Sequence, residues 1–379
     1  MMNRRQALRS FSAFVAGSPL WSQDYDNDPM APINLHEFEE VAKRKLHKLA
    51  YDFIAGGTEE EYTLRANREA FGRWYLIPRF MRDVTNVDTS ATILGAKVPF
   101  PFFIAPTGGK NLVLPNADET VAQAALNTKT VLCSATGVGK ILEEGKPLVW
   151  WSNTIGSPNK ASAVGYAKRI EDQGGKAIVL TIDNAYQSNR DRNNRNRFDY
   201  GYMQTGAPKP GDKIPPPRNP ARAAMWQPHT PSLTWEWLDW ARSGSQIPIV
   251  VKGVLHPGDA RMAIERGASA ISVSNHGGRQ LDGAIGSLDA LPEVAEAVGG
   301  RIPVFMDGGI RRGQAIVKAI ALGASGVLLG RAPLWGLGAY GQKGVERVLE
   351  LLGMEFKLAM ALCGVRNVKD IDRSMIRRI

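Results

Sequence analysis

Apolar residues recur along this chain in two rhythms, and the alternation between them predicts the architecture. Past Pro78, short apolar runs stand at Phe102–Ala105, Thr130–Ser134, Leu148–Ser152, Ala177–Thr181, Ile249–Lys252, Ala270–Ser274, Val304–Met306 and Gly326–Leu329. Near-continuous runs of this kind mark strands buried on both faces. Between most of them lie segments with helical spacing: Asp118–Leu126, Lys160–Gln173, Pro257–Arg266, Leu288–Val298 and Arg312–Leu322. Eight strand-then-helix units predict an α/β fold, a parallel (β/α)8 TIM barrel; a doubly wound open sheet is the alternative. Two matched endings, Gly267-Ala268 before Ser269 and Gly323-Ala324 before Ser325, favour the repeated unit of a barrel.

Ahead of the barrel, Leu35, Phe38, Val41, Ala42, Leu46, Leu49 and Phe53 predict a helix over 34–55, with Asn34 as its N-cap and Gly56-Gly57 as its stop. A second helix is predicted from Glu59 to Ala70, so the barrel carries an N-terminal helical extension. Residues 203–232 break the rhythm with many prolines, Pro215-Pro216-Pro217 among them. A connection that long predicts a lid-like loop after strand 4, or a passive surface insertion. Residues 1–30 read as an export-signal-like segment with a linker, and 31–379 as one catalytic barrel domain.

The N-terminal segment 3–20 pairs Arg4 and Arg5 ahead of a short apolar stretch, the pattern of twin-arginine export to a periplasmic or membrane-associated location. A cytoplasmic protein with a basic N-terminus is the alternative. No run approaches the ~18 apolar residues of a membrane span. Cys133 and Cys363 give neither a disulfide framework nor a metal-ligand spacing. The net charge of +10 asks for an anionic partner. The densest basic run, Arg190, Arg192, Arg195 and Arg197, lacks the interleaved aromatics of a nucleic-acid surface. A local basic pocket for an anionic small molecule meets the same demand.

In a barrel, working groups gather at the C-terminal ends of strands. That rule collects Pro106, Thr107 and Gly108 after strand 1, Thr181 and Asp183 at strand 4, Lys252 at strand 5, and Ser274 and His276 at strand 6. Asp307, Gly308, Gly309 and Arg311 follow at strand 7, and Gly330 and Arg331 at strand 8. Glycine amides and arginines after strands 7 and 8 predict a phosphate site. Within Ser274-Asn275-His276-Gly277-Gly278-Arg279, a base near neutral pH and a guanidinium fork for a carboxylate leave one strand end together. A glycine-rich turn with a surface histidine is the competing reading. Asp183 is a candidate to orient His276, and Lys252 ends a buried strand where its charge needs a partner; half of a structural ion pair is the alternative for either.

Ser274 to Asp282, Val251-Lys252-Gly253-Val254, Pro303 to Arg312 and Leu328-Leu329-Gly330-Arg331 together resemble the FMN-dependent α-hydroxy-acid oxidases and dehydrogenases. The similarity spans about residues 34 to 372, with Tyr51-Asp52-Phe53, Ile104 to Thr107 and Asn196-Arg197-Phe198 in the expected order. The resemblance implies FMN as cofactor and oxidation of an (S)-2-hydroxy acid to a 2-oxo acid. His276 would take a proton as a hydride equivalent reaches flavin N5, Asp183 would pair with His276, and Arg279 and Arg190 would bind the carboxylate. Lys252 would stabilise the reduced flavin. Pro106, Thr107, Gly108, Thr181, Ser274, either Ser134 or Cys133, and Asn153 in place of the usual glutamine would touch the flavin. Asp307, Gly308, Gly309, Arg311, Gly330 and Arg331 would hold its phosphate. It further implies oxygen, a quinone or a cytochrome as electron acceptor, and a homo-oligomer, commonly a tetramer.

Two tyrosines that contact substrate in the family are Phe53 and Ile155 here, and Ala135 or Thr136 replaces a bulky pocket residue. The pocket is therefore expected to be more apolar, with Tyr51 or Tyr186 as candidate replacement hydroxyls and a bulky hydroxy acid, amino acid or peptide-derived carboxylate as a non-standard substrate. Two other functions compete. An isomerase working through reduced FMN would lack the His-Gly-Gly-Arg pairing. A non-catalytic flavin-binding protein would follow from decay of the pocket.

Overall fold

The computed structural model describes residues 27–379 apart from Gly137 and Met225; the export-like segment 3–20 lies outside the described residues. Eight parallel strands close on themselves: β1 (Phe102–Ile104), β2 (Leu132–Cys133), β3 (Trp150–Thr154), β4 (Ala177–Thr181), β5 (Ile249–Val254), β6 (Ala270–Val273), β7 (Val304–Asp307) and β8 (Gly326–Leu329). β8 pairs with β1 and β6 with β7, so no edge is left open. Closure excludes the open doubly wound sheet. The strands are mostly apolar because alternate residues serve two cores. Phe103, Trp151, Val179, Val250 and Phe305 fill the barrel interior, while Ile104, Leu132, Ile178, Ile249 and Ile271 meet the helical sheath. Inside, Phe103 meets Trp151 and Phe305 edge-on, with ring centroids at 5.0 and 5.3 Å. A hairpin, Ala91–Ile93 with Ala96–Val98, sends Ile93 and Val98 into this interior cluster.

Boundaries differ from the sequence expectation where local chemistry overrides apolar spacing. The helix expected over 34–55 is two helices, Leu35–Lys45 and Lys48–Ala55. Asn34 caps the first, accepting from the His36 and Glu37 amides. The second restarts because His47, in extended backbone, caps it by accepting from the Leu49 amide. The next helix begins at Tyr62 rather than Glu59, since Glu59 and Glu61 both hold positive φ. β3 runs two residues later than expected, which brings Asn153 onto the strand.

Residues 203–232 are tied to the barrel. Short helices, Tyr202–Thr205 and Ala221–Ala224, lie in and beside this connection, and backbone bridges join Asp199 to Pro220 and Tyr186 to Pro228. Met203 and His229 reach the wall of the cavity at the strands' C-terminal ends, so this segment is no passive insertion.

The turn after β6 holds three successive left-handed residues, His276, Gly277 and Gly278, with φ of 58°, 66° and 73°. A side chain at Gly278 would place Cβ 2.6 Å from the Leu64 backbone. Gly278→Ala should therefore lower stability by about 2 kcal/mol or more, from strain and forced separation of the turn from the helix beneath it. Chemical denaturation of the two proteins measures this.

Candidate active site

β4 ends at Thr181, and Asp183 follows two residues later. The neighbouring β5 bulges between Lys252 and Val254, where Gly253 has a φ of 112°. A Cβ at Gly253 would stand 2.9 Å from the Asp183 side chain, so the glycine makes room for that carboxylate. From β6, His276 Nδ1 donates to Asp183 Oδ1 at 2.8 Å. With Nδ1 engaged, Nε2 is the imidazole atom left to take a proton. Burial lowers the His276 pKa, with Lys252 and Arg190 acting in the same sense against the Asp183 carboxylate. The ring is thus a neutral proton acceptor near pH 7. Burial alone would raise the Asp183 pKa, but the imidazole and the Lys252 ammonium outweigh it and keep the group ionised.

Beneath this pair lies a closed polar network. Lys252 Nζ donates to Ser274 Oγ at 2.9 Å and stands 3.1 Å from Asp307 Oδ2. Ser274 Oγ donates to Asp307 Oδ1 at 2.8 Å and accepts the His276 amide at 3.0 Å. Burial opposes the charge on Lys252, but Asp307 and Asp183 together raise its pKa. The lysine stays cationic at the foot of the cavity.

The other side of the cavity is a set of guanidiniums. Arg331 donates to the carbonyls of Ile54, Gly56 and Gly277, and Arg279 to those of Phe53 and Gly56. The end of the Lys48–Ala55 helix thus lends its orphan carbonyls to both. Arg311 is less well served: its Nε is buried without a partner, and one NH2 group donates to the Ile310 carbonyl. Burial pushes Arg311 down to about 10 and, with Arg311 adding to it, Arg331 down to about 9. Two buried cations, of which Arg311 is short of acceptors, beside Gly308, Gly309 and Gly330, fit a phosphate.

The cavity these groups share has a volume of about 320 Å³. Pro106, Thr107, Gly108, Asn153, Thr181, Asp307, Phe53, Ile155, Arg190 and Arg279 line it, as expected from sequence. Thr181 Oγ1 donates to Asn153 Oδ1 at 2.8 Å across its floor. Phe53 stacks on Phe198 at 4.8 Å, and Arg279 and Arg190 lie over its ring at 5.0 and 5.7 Å.

Several expected residues sit elsewhere. Ser134 is buried in its own turn, donating to the Thr136 carbonyl, and Cys133 faces the barrel interior, so neither lines the cavity. Ser274 also lies below the wall and reaches the site through Lys252 and Asp307. Ala135 and Thr136 line a separate recess beside Tyr166. Tyr51 packs on Trp335 and Tyr186 is half exposed; neither hydroxyl reaches the cavity. Among the lining residues missed from sequence, Asn184, Gln187, Tyr200, Met203 and His229 all come from β4's long connection. Tyr200, two positions past Asn196-Arg197-Phe198, and His229, one of five histidines, were the available signals.

A sequence model of the FMN-dependent dehydrogenases matches residues 42–378. The chain is 40% identical to an L-lactate oxidase from a Nostoc species, over 91% of this chain and 98% of that protein. It is 38% identical to glycolate oxidase of Spinacia oleracea, over 90% and 95%. It is 37% identical to 2-hydroxyacid oxidase 1 of Homo sapiens, over 91% and 96%. Among solved structures, mandelate oxidase with (S)-4-hydroxymandelic acid superposes with a TM-score of 0.82 at 36% identity, covering 91% of this chain and 98% of that one.

Lys252→Met should leave Asp307 buried without its cation. The expected cost is about 3–5 kcal/mol, the usual penalty for breaking a buried pair from one side. Thermal unfolding at pH 7 measures it.

Proposed function

The chain belongs to the FMN-dependent dehydrogenase family, and from that premise we propose that it oxidises an (S)-2-hydroxy acid to the 2-oxo acid. The observation that carries this reading is the 2.8 Å pair of Asp183 and His276, whose imidazole lines one cavity with Arg279. A substrate for that arrangement needs a carboxylate for the guanidinium and, beside it, a hydroxyl whose proton the imidazole can take.

The residues present fit FMN: the orphaned Arg311 Nε and the glycines after β7 and β8 suit its phosphate, and Lys252 suits an anionic reduced ring. Bound FMN supplies the two-electron acceptor for the hydrogen, with its bonding pair, that leaves substrate C2. Arg279, with Arg190, holds the carboxylate; a hydrogen bond to a charged group contributes about 1.5–3 kcal/mol. His276 Nε2 takes the hydroxyl proton as the carbon–oxygen double bond forms. Asp183 holds the imidazole in the acceptor tautomer and stabilises its protonated form. Relatives named as oxidases support oxygen as the final acceptor. The intact base and anchor favour this reading over an isomerase or an inactive flavin carrier.

Anaerobic addition of 2-hydroxy acids, from small to aromatic, to the flavin-loaded protein should bleach the flavin absorption, and admitting air should restore it. No bleaching by any member would overturn the proposal; bleaching that air leaves unchanged would point to a quinone or cytochrome instead. The base works unprotonated and burial lowers its pKa, so the acid limb of kcat/KM should lie below pH 6.5. Asp183→Asn removes the carboxylate that holds this pKa up. It should shift the limb further toward acid and lower kcat by about a hundredfold or more.

A further inference from the structure

The sequence places apolar side chains, Phe53 and Ile155, on the substrate wall, yet one phenol does reach it. Tyr200 lines the cavity together with Arg190, Arg279 and His276. Its ring meets the Phe53 ring edge-on, with centroids 6.5 Å apart and planes at 82°. Both guanidiniums lie over that same Phe53 ring, so Tyr200, Arg190 and Arg279 surround one corner of the cavity. Burial lowers the pKa of both arginines, and in each case the Tyr200 phenol is the neighbour acting against it.

The hydrogen bonding sets the direction of the hydroxyl. Gln187 Nε2 donates to Tyr200 Oη at 2.5 Å, so the oxygen is used as an acceptor and its own proton is left to donate. Both partners are held from behind. The Gln187 amide donates to the Gln227 carbonyl, and the Tyr200 amide to that of Asn219. Next to Tyr200, Asp199 Oδ1 and Oδ2 accept the Gly201 and Arg218 amides.

We infer that Tyr200 donates a hydrogen bond to the substrate carboxylate beside Arg279, with Gln187 as the residue that orients it. The assignment rests on the 2-hydroxy-acid reading above for the identity of the ligand. It makes the long connection after β4 a source of substrate affinity, because this hydroxyl and its orienting amide both come from there.

Oxalate, a small carboxylate that offers no C2 hydrogen, tests the assignment without turnover. The flavin-loaded Tyr200→Phe protein should keep its flavin content and bind oxalate at least tenfold more weakly, read from the perturbed flavin spectrum or by calorimetry. KM for a bleaching hydroxy acid should rise by a similar factor, with kcat changed less. Adding Phe53→Tyr in the Tyr200→Phe background returns a hydroxyl to the same corner and should recover part of the loss. Oxalate affinity within twofold of the parent would overturn the assignment. Should Tyr200→Phe fail to fold, Gln187→Leu decides. It removes the orienting donor and should weaken oxalate several-fold; no change would overturn the assignment. A parent protein that binds oxalate but is bleached by no 2-hydroxy acid would sink the proposed reaction, while the comparison of affinities still decides Tyr200. A parent that binds no oxalate would sink both.

Discussion

Uncompensated positive charge at the barrel mouth is the constraint around which the site is built. Five cationic side chains, Arg190, Lys252, Arg279, Arg311 and Arg331, line one cavity whose lining includes a single carboxylate, Asp307. Burying cations is costly unless each finds a partner. Lys252 has Asp307; Arg279 and Arg331 borrow helix-end carbonyls; Arg311 retains an orphan Nε. The remaining imbalance becomes affinity for a phosphate and a carboxylate. Burial lowers the His276 pKa against the pull of Asp183, and Lys252 and Arg190 add to the lowering.

Much of this was legible in the chain because parallel barrels write themselves plainly. Strands buried on both faces leave apolar runs, and residues at the ends of those runs must face the mouth. His276, Arg279, Asp183 and Lys252 followed from that rule, and their motifs carried the family. Errors arose where one residue's chemistry overrides periodicity. His47 splits a helix that apolar spacing reads as continuous. Glu59 and Glu61, in left-handed backbone, delay the next. Ser134 is consumed by its own turn, which spacing along a strand does not reveal.

The larger omission has a different physical origin. The connection after β4 has no period, so its contribution depends on tertiary packing. Tyr200 reaches the site because Asp199 pairs with Pro220, and His229 because its amide donates to Ala185. Such contacts join residues distant in sequence, with no local pattern to announce them. Reading only strand ends made the pocket look poorer in polar groups than it is. The wall holds Asn184, Gln187, Tyr200 and His229 as well as Phe53 and Ile155.

The bulge at Gly253 has an evolutionary consequence. Its missing side chain leaves room for the Asp183 carboxylate, so position 253 on β5 and position 183 just past the end of β4 share one volume. Lineages that keep an acid at 183 are confined to glycine at 253, however well another residue would suit the strand alone. The constraint on 253 does not lapse when 183 shrinks, because a φ of 112° strains any side chain there and its Cβ would still stand 3.1 Å from the backbone nitrogen of 183. A sequence that lost the acid would therefore keep the glycine, and the space for the carboxylate would stay open for its return.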